Sequence, residues 1–233
     1  MHEQEELITE EVKAGVYAAY LAHPKSGENL PSVLIIHEIF GLNENIRDIA
    51  RRFAREGYVA LAVDLYSKEN VRQLCIFKTV AGMIISARKT AHMGALDEAA
   101  NWLKNLPGVS PEKLGVIGFC MGGGYALAFA VSSKQLKAVS AFYGMNPRPL
   151  DSVAQACPVM ASYGSKDQFF AKQGLKLEKK LKEFGIPHDV KVYEDANHAF
   201  FNDTWSNYNP EAAKDAWQRT LAFFSEHISN RKK

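Results

Sequence analysis

The stretch Gly118-Phe119-Cys120-Met121-Gly122-Gly123-Gly124 directly follows the apolar run Leu114–Ile117. An apolar run that leads through a glycine-flanked reactive residue into small residues is typical of a strand, a sharp turn and a helix. Such a turn strains the backbone of its central residue, and glycines two positions before and after it remove side chains that would collide there. We therefore predict that Cys120 stands above the edge of a parallel sheet, on a G-x-C-x-G nucleophile elbow.

Length and composition fit one large α/β domain that spans residues 1–233. Hydrophobic residues make up 47% and charged residues 23% of the chain, enough apolar material for a substantial core. The net charge of +2 gives no electrostatic argument for binding nucleic acid. No apolar run approaches the ~20 residues that a bilayer-spanning helix needs. We expect a small-molecule substrate, no nucleic-acid or membrane partner, and a monomer or small homo-oligomer.

Cysteine usage and the N-terminus favour a cytoplasmic location. Three cysteines, at positions 75, 120 and 157, do not make a disulfide framework for 233 residues. Residues Met1–Glu6 are acidic and polar, unlike the basic start of a secretory signal. We interpret Cys75 and Cys157 as packing residues, which leaves Cys120 as the candidate reactive thiol.

Predicted strands and helices alternate along the chain. The predicted strands are Leu7–Val12, Val16–Ala22, Ser32–Ile36, Tyr58–Val63, Lys113–Phe119, Leu136–Tyr143, Val159–Tyr163 and His188–Tyr193. The predicted helices follow Asn43 and cover Thr90–Leu106, Met121–Ser132, Gln173–Phe184 and Pro210–Ile228. Because the middle strands are continuous apolar runs, we expect a mostly parallel central sheet with helices on both faces and an antiparallel N-terminal strand pair. Asp64–Ile85 gives no clear pattern.

Four segments together make the chain resemble the dienelactone hydrolase family of α/β-hydrolases. They are His37–Leu42, Ala62–Tyr66, Gly118–Gly123, and the pair Gly164–Asp167 with Asn197–Phe200. The resemblance covers nearly the whole chain. It implies the α/β-hydrolase fold and a carboxymethylenebutenolidase-like hydrolase of lactones or small activated esters. No cofactor is expected, because nucleophile and base both come from the chain.

The order of residues along the chain suggests a Cys-His-Asp triad. Asp167 and His198 follow Cys120 in the order nucleophile, acid, histidine. Asp195 is a rival acid, three residues before the histidine. In this architecture the acid follows an earlier strand, which favours Asp167 and leaves Asp195 as a helix or turn cap.

The chemistry of the triad predicts covalent catalysis through a thioester. A free thiol has a pKa of ~8.5, and the positive end of a helix that starts at Met121 favours the thiolate of Cys120. His198 can take the thiol proton and return it to the leaving oxygen, while Asp167 would fix the histidine tautomer. For the oxyanion, the Met121 backbone N–H follows the nucleophile, and the resemblance places the second donor at Ile39.

Glu38 is the unusual member of the predicted site. In the family that the chain resembles, this carboxylate lies near the resting cysteine and takes part in its activation when substrate binds. A carboxylate close to a thiol also opposes thiolate formation, so our hypothesis is that Glu38 keeps Cys120 neutral until it is needed. The alternative is a structural carboxylate that holds its own loop.

The substrate pocket and a metal site are less defined in the sequence. Four aromatic residues could line an apolar pocket, although core packing explains each equally well: Phe40, Tyr143, Phe200 and Trp205. No arginine follows His198 until Arg219, which puts recognition of a substrate carboxylate in doubt, and Arg88 is the remaining candidate for it. His37-Glu38 lacks the second histidine of an H-E-x-x-H motif, so no metal is expected.

Two other functions stay open at this stage. A non-catalytic homologue that binds a small ligand would share the fold, although a complete triad argues against it. A cysteine peptidase would need an extended groove for a chain substrate, which no sequence feature indicates.

Overall fold

The structure, a computed structural model, describes residues 6–68 and 91–229; Cys75 and Arg88 lie outside these residues. In the described parts, eight strands form one sheet. They are β1 (Leu7–Ala14), β2 (Tyr17–Pro24), β3 (Leu30–Ile36), β4 (Val59–Val63), β5 (Val109–Phe119), β6 (Ala138–Phe142), β7 (Val159–Gly164) and β8 (His188–Tyr193). Their order across the sheet is β1-β2-β4-β3-β5-β6-β7-β8.

The sheet is antiparallel at one side and parallel in the rest. β1 pairs antiparallel with β2, and β2 antiparallel with β4. All neighbours from β4 across to β8 run parallel. The central strands are buried on both faces, which explains their continuous apolar sequences. The predicted α/β-hydrolase fold class and the antiparallel N-terminal pair are both confirmed.

Helices cover both faces of the sheet. They are α1 (Glu44–Arg55), α2 (Ala91–Lys104), α3 (Met121–Ser132), α4 (Gln168–Glu183) and α5 (Pro210–Phe224). α1 and α5 pack in one apolar cluster with residues such as Phe53 and Phe224. α2, α3 and α4 pack in the other, which contains Leu96, Tyr125 and Leu177. No helix among the described residues has both the length and the apolar character to cross a membrane.

Several boundaries differ from those predicted. α4 begins at Gln168, five residues before the predicted start at Gln173, because the side chain of Asp167 accepts the backbone N–H of Phe170 and caps the helix. α5 ends at Phe224 and continues as a π-helical turn over Ser225–Ser229. A short 3₁₀ helix at Leu150–Gln155 was not predicted.

The parallel arrangement brings chemically reactive residues to one edge of the sheet. Glu38 follows β3, Cys120 follows β5, Tyr143 follows β6, Asp167 follows β7 and His198 follows β8. Because carboxyl ends of parallel strands share an edge, residues that are 160 positions apart in the chain become neighbours.

Candidate active site

Cys120 occupies a strained turn between β5 and α3. Its backbone angles are φ 54° and ψ −116°, in the left-handed half of the Ramachandran map that side chains rarely adopt. A Cβ atom on Gly118 would lie 2.0 Å from the carbonyl oxygen of Gly122, and one on Gly122 would lie 2.3 Å from that of Ile36. The two glycines that flank the elbow are therefore required by backbone contacts.

The environment of the Cys120 thiol keeps it protonated. Burial, and next the negative charge of Glu38, raise the pKa of this thiol to about 12. Backbone hydrogen bonds from Met121 and Ile39 act in the opposite direction but are outweighed. The helix terminus therefore favours the thiolate as expected, but burial and Glu38 outweigh it in the resting site. The two N–H groups predicted to hold an oxyanion nevertheless converge on the sulfur.

His198 and Asp167 form a direct hydrogen bond. Nδ1 of the imidazole lies 2.5 Å from Oδ2 of Asp167, whose other oxygen accepts the N–H of Phe170, at 3.4 Å, to cap α4. Both carboxylate oxygens are therefore engaged. Since Nδ1 carries a proton and donates it in a hydrogen bond to Asp167, Nε2 is the imidazole nitrogen that can accept a proton.

Other contacts hold the histidine in place. Its ring packs between Tyr143 and Phe170, with ring centroids 4.9 and 4.7 Å away. Asn207 donates a hydrogen bond of 3.0 Å to its carbonyl oxygen. Asp195, the rival acid, lies elsewhere: its exposed carboxylate pairs with Lys166 at 3.2 Å.

Glu38 is buried and held by two neutral donors. Only 2% of the residue is exposed. The Tyr143 hydroxyl donates to Oε1 at 3.3 Å, and the Asn202 amide donates to Oε2 at 2.8 Å. Burial raises the pKa of the Glu38 carboxyl, while Asn202, Tyr143 and the charge of His198 partly counteract it. Glu38 thus interacts electrostatically with both Cys120 and His198.

The loop after β3 is fixed by His37. Nδ1 of this buried imidazole lies 2.6 Å from the carbonyl oxygen of Glu38, and the backbone N–H of Leu65 donates to Nε2 at 3.1 Å. Because that N–H can only donate, the Nδ1 atom carries the proton. His37 therefore anchors the segment that carries Ile39. In the sequence, His37-Glu38 matched only the first half of an H-E-x-x-H metal-binding motif.

Sequence reasoning missed Asn202, Thr204 and Phe170. Asn202 is 1% exposed, and Thr204 donates to its side-chain oxygen from both the backbone N–H and the hydroxyl. The available signal was a polar residue four positions beyond the histidine, directly after the apolar run Ala199–Phe201.

The four aromatic pocket candidates fall into two groups. Phe40 and Trp205 contact each other with ring centroids 4.7 Å apart, and each is 43% exposed, so they can meet a substrate. Phe200 is completely buried among Phe142, Tyr143 and Tyr193, which agrees with core packing, the alternative given for it. Tyr143 is also fully buried and supports Glu38 and His198 instead of lining a pocket.

Within residues 6–68 and 91–229, no three His, Cys, Asp or Glu side chains are grouped so that they could hold a metal ion. The polar groups at the sheet edge are instead bonded to one another or to backbone groups. The arrangement provides a thiol, an oriented imidazole and two convergent N–H groups. These are the components of acyl transfer.

Comparison with known proteins identifies the family of the chain. The family model described as "Dienelactone hydrolase family" matches residues 17–228. The chain belongs to the dienelactone hydrolase family. It is 34% identical over 223 residues to a Salmonella typhimurium protein named "Putative carboxymethylenebutenolidase", with 90% of this chain and 82% of that protein covered.

Two further relatives extend the family match. A Bradyrhizobium protein named "Probable 2-oxo-3-(5-oxofuran-2-ylidene)propanoate lactonase" is 30% identical, with 92% of this chain and 91% of that protein covered. The structure entitled "Putative Dienelactone Hydrolase" from Klebsiella pneumoniae superposes with a TM-score of 0.83 at 32% identity, covering 95% and 99% of the two chains. Family membership and these relatives identify the chain as a hydrolase of lactones or carboxylic esters.

Proposed function

We propose that this dienelactone hydrolase family member cleaves a lactone or small activated ester through Cys120, His198 and Asp167, with a thioester acyl-enzyme. The observation that carries the proposal is the 2.5 Å hydrogen bond between His198 and Asp167, at the sheet edge that also presents the Cys120 elbow. An imidazole oriented in this way is the base that a buried, protonated thiol requires. Cys120 and Cys157 are free thiols, which agrees with a cytoplasmic location.

The proposed reaction has two halves. Nε2 of His198 takes the thiol proton, and the sulfur of Cys120 attacks the carbonyl carbon of the substrate. The carbonyl oxygen becomes an oxyanion that the N–H groups of Ile39 and Met121 hold. When the tetrahedral adduct collapses, the C–O bond breaks and the imidazolium gives its proton to the leaving oxygen. Water, deprotonated by the same imidazole, then attacks the thioester carbon and releases the acid and the thiol.

The substrate class follows from the leaving-group chemistry of sulfur. A thiolate is itself readily expelled from a tetrahedral adduct, so an ester with a poor alkoxide leaving group would return to substrate. Enol lactones and activated esters release a stabilised oxygen anion and would proceed. The exposed, mutually packed rings of Phe40 and Trp205 offer an apolar surface that can contact such a substrate.

We propose that Glu38 acts as a switch that keeps the Cys120 thiol unreactive in the resting enzyme. Burial, and next the negative charge of Glu38, raise the pKa of Cys120, so the thiol stays protonated and resists alkylation and oxidation. The same two N–H groups that now bind the sulfur must bind the oxyanion during the reaction. Arrival of a substrate carbonyl there would displace the sulfur toward the imidazole, away from its resting contacts.

Glu38→Gln should make Cys120 more reactive toward alkylating agents. The substitution removes a negative charge that opposes the thiolate, so the pKa of Cys120 should fall by about one unit and the curve of alkylation rate against pH should move to lower pH. Glutamine can still accept from Asn202 and donate to the Tyr143 hydroxyl, so its packing is retained. Iodoacetamide labelling, with the modified peptide identified by mass spectrometry, measures the shift. An unchanged pH curve rules the switch out.

A substrate panel tests the proposed function as a whole. Wild type should hydrolyse an enol lactone and p-nitrophenyl acetate, and it should leave peptides uncut. Cys120→Ala should reduce hydrolysis by about 10³-fold or more with an unchanged circular dichroism spectrum. Ligand binding without turnover would indicate a non-catalytic homologue, and peptide cleavage would indicate a peptidase. Either outcome, or full activity of Cys120→Ala, contradicts the proposal.

A further inference from the structure

The side-chain amide of Asn202 has its orientation decided by Thr204. The backbone N–H and the hydroxyl of Thr204 reach Oδ1 of Asn202 at 3.1 and 2.7 Å. A backbone N–H can only donate, so the amide atom that faces it must be the oxygen. The amide NH₂ group therefore faces Oε2 of Glu38, 2.8 Å away. If the amide were rotated by 180°, its NH₂ group would face the backbone N–H of Thr204, and both groups are donors.

We propose that Asn202, oriented by Thr204, is a positioning residue that keeps Glu38 charged beside Cys120 while no substrate is bound. The inference rests on the switch role of Glu38 proposed above and assigns its control to a residue outside the triad. Glu38 and Asn202 are only 2% and 1% exposed, so water contributes little to solvating the carboxylate. A buried carboxylate stays ionised only when hydrogen-bond donors replace that water, and otherwise it takes up a proton.

The other groups that face Glu38 leave Asn202 as its principal donor. Tyr143, which follows β6, donates over the longer distance of 3.3 Å. His198, after β8, favours the charged carboxylate only when protonated, and a thiolate at Cys120 would oppose it. Glu38 forms no ion pair with any lysine or arginine of the described ranges. The hydrogen bond from the Thr204-oriented amide of Asn202 to Glu38, called the clamp below, thus comes from an uncharged donor.

Asn202→Leu is the direct test, because leucine has a similar volume and no donor. With only the Tyr143 hydroxyl left, Glu38 should become protonated and cease to oppose the thiolate. In the pH range where Glu38 is protonated, the curve of Cys120 alkylation rate should then shift to rates about tenfold higher, toward those of Glu38→Gln. In a Glu38→Gln background, Asn202→Leu should give no additional shift, since there is no charge left to control. A purely structural disturbance would shift the alkylation curve equally in the wild-type and Glu38→Gln backgrounds.

Three further variants separate the clamp from general loosening of its loop. Thr204→Val keeps the backbone N–H but removes the hydroxyl, and should give a smaller shift in the same direction. Thr204→Ser keeps both donors and should retain the wild-type curve. Asn45→Ala removes a 3.0 Å hydrogen bond to Asp203 in the same loop without contacting Glu38, and should also retain the wild-type curve.

Two results would overturn the inference. One is a folded Asn202→Leu protein with the wild-type alkylation curve; the other is an equal shift in the Glu38→Gln background. Should Asn202→Leu fail to fold, identical curves for Thr204→Val and Thr204→Ser reject the clamp. These readings are separate from the catalytic proposal. The thiol can be titrated whether or not it is the nucleophile, and hydrolysis by Cys120→Ala tests the nucleophile alone.

Discussion

Asp167→Asn is expected to lower kcat/KM for an activated ester by about 10³- to 10⁴-fold while leaving the protein nearly as stable as wild type. The amide NH₂ would face Nδ1 of His198, where Oδ2 now accepts at 2.5 Å. The imidazole would avoid two opposed donors by carrying its proton on Nε2. That tautomer cannot take the proton of Cys120, and no negative charge would stabilise the imidazolium.

The second role of Asp167 supplies a matched control. Its other oxygen caps α4 by accepting the N–H of Phe170, a task that asparagine performs equally well and alanine cannot. Asp167→Ala should therefore lose activity to a similar degree and also lose about 1 kcal/mol of unfolding free energy. Steady-state kinetics and urea denaturation measure the two effects. Substantial activity in a folded Asp167→Asn enzyme would show that this carboxylate is not the triad acid.

Local patterns in the sequence were sufficient to predict most of the fold. The apolar run before Cys120 and the glycines around it specify strand, turn and helix within a dozen residues. Asn43 was expected to cap α1, and its side chain does accept the N–H of Ile46. The start of α4 was missed because Asp167 was interpreted only as the triad acid, whereas its side chain also accepts the N–H of Phe170 and caps the helix.

The electrostatic state of the site could not be predicted from local patterns. A helix N-terminus suggests an acidic thiol, but the depth of burial of Cys120 decides the sign of its pKa shift, and burial is a property of the folded chain. Likewise, Asn202 acts on Glu38, which is 164 positions away in the chain. No periodicity or motif connects residues at that separation. The strand order does, because β3 and β8 both direct their following loops to one edge.

Gly118→Ala is expected to destabilise the fold strongly, and more than Gly57→Ala does. The new methyl group would lie 2.0 Å from the carbonyl oxygen and 2.4 Å from the carbonyl carbon of Gly122. Both atoms belong to the first turn of α3, so a side-chain rotation cannot relieve the overlap. The helix would have to move away from β5, and we expect a loss of about 3 kcal/mol or more, enough to deplete the folded protein.

Gly57→Ala is a comparison for this substitution, because it adds the strain of a left-handed backbone and no collision. Gly57 has a φ of 81°, and an added Cβ would meet no atom within 4 Å. A cost of about 1–2 kcal/mol is expected from the left-handed conformation alone. Urea midpoints followed by circular dichroism compare the two variants. A wild-type midpoint for Gly118→Ala would mean that α3 can shift without penalty. In that case the N–H of Met121 would not be fixed by the turn, and the geometric basis for its place in the oxyanion site would be lost.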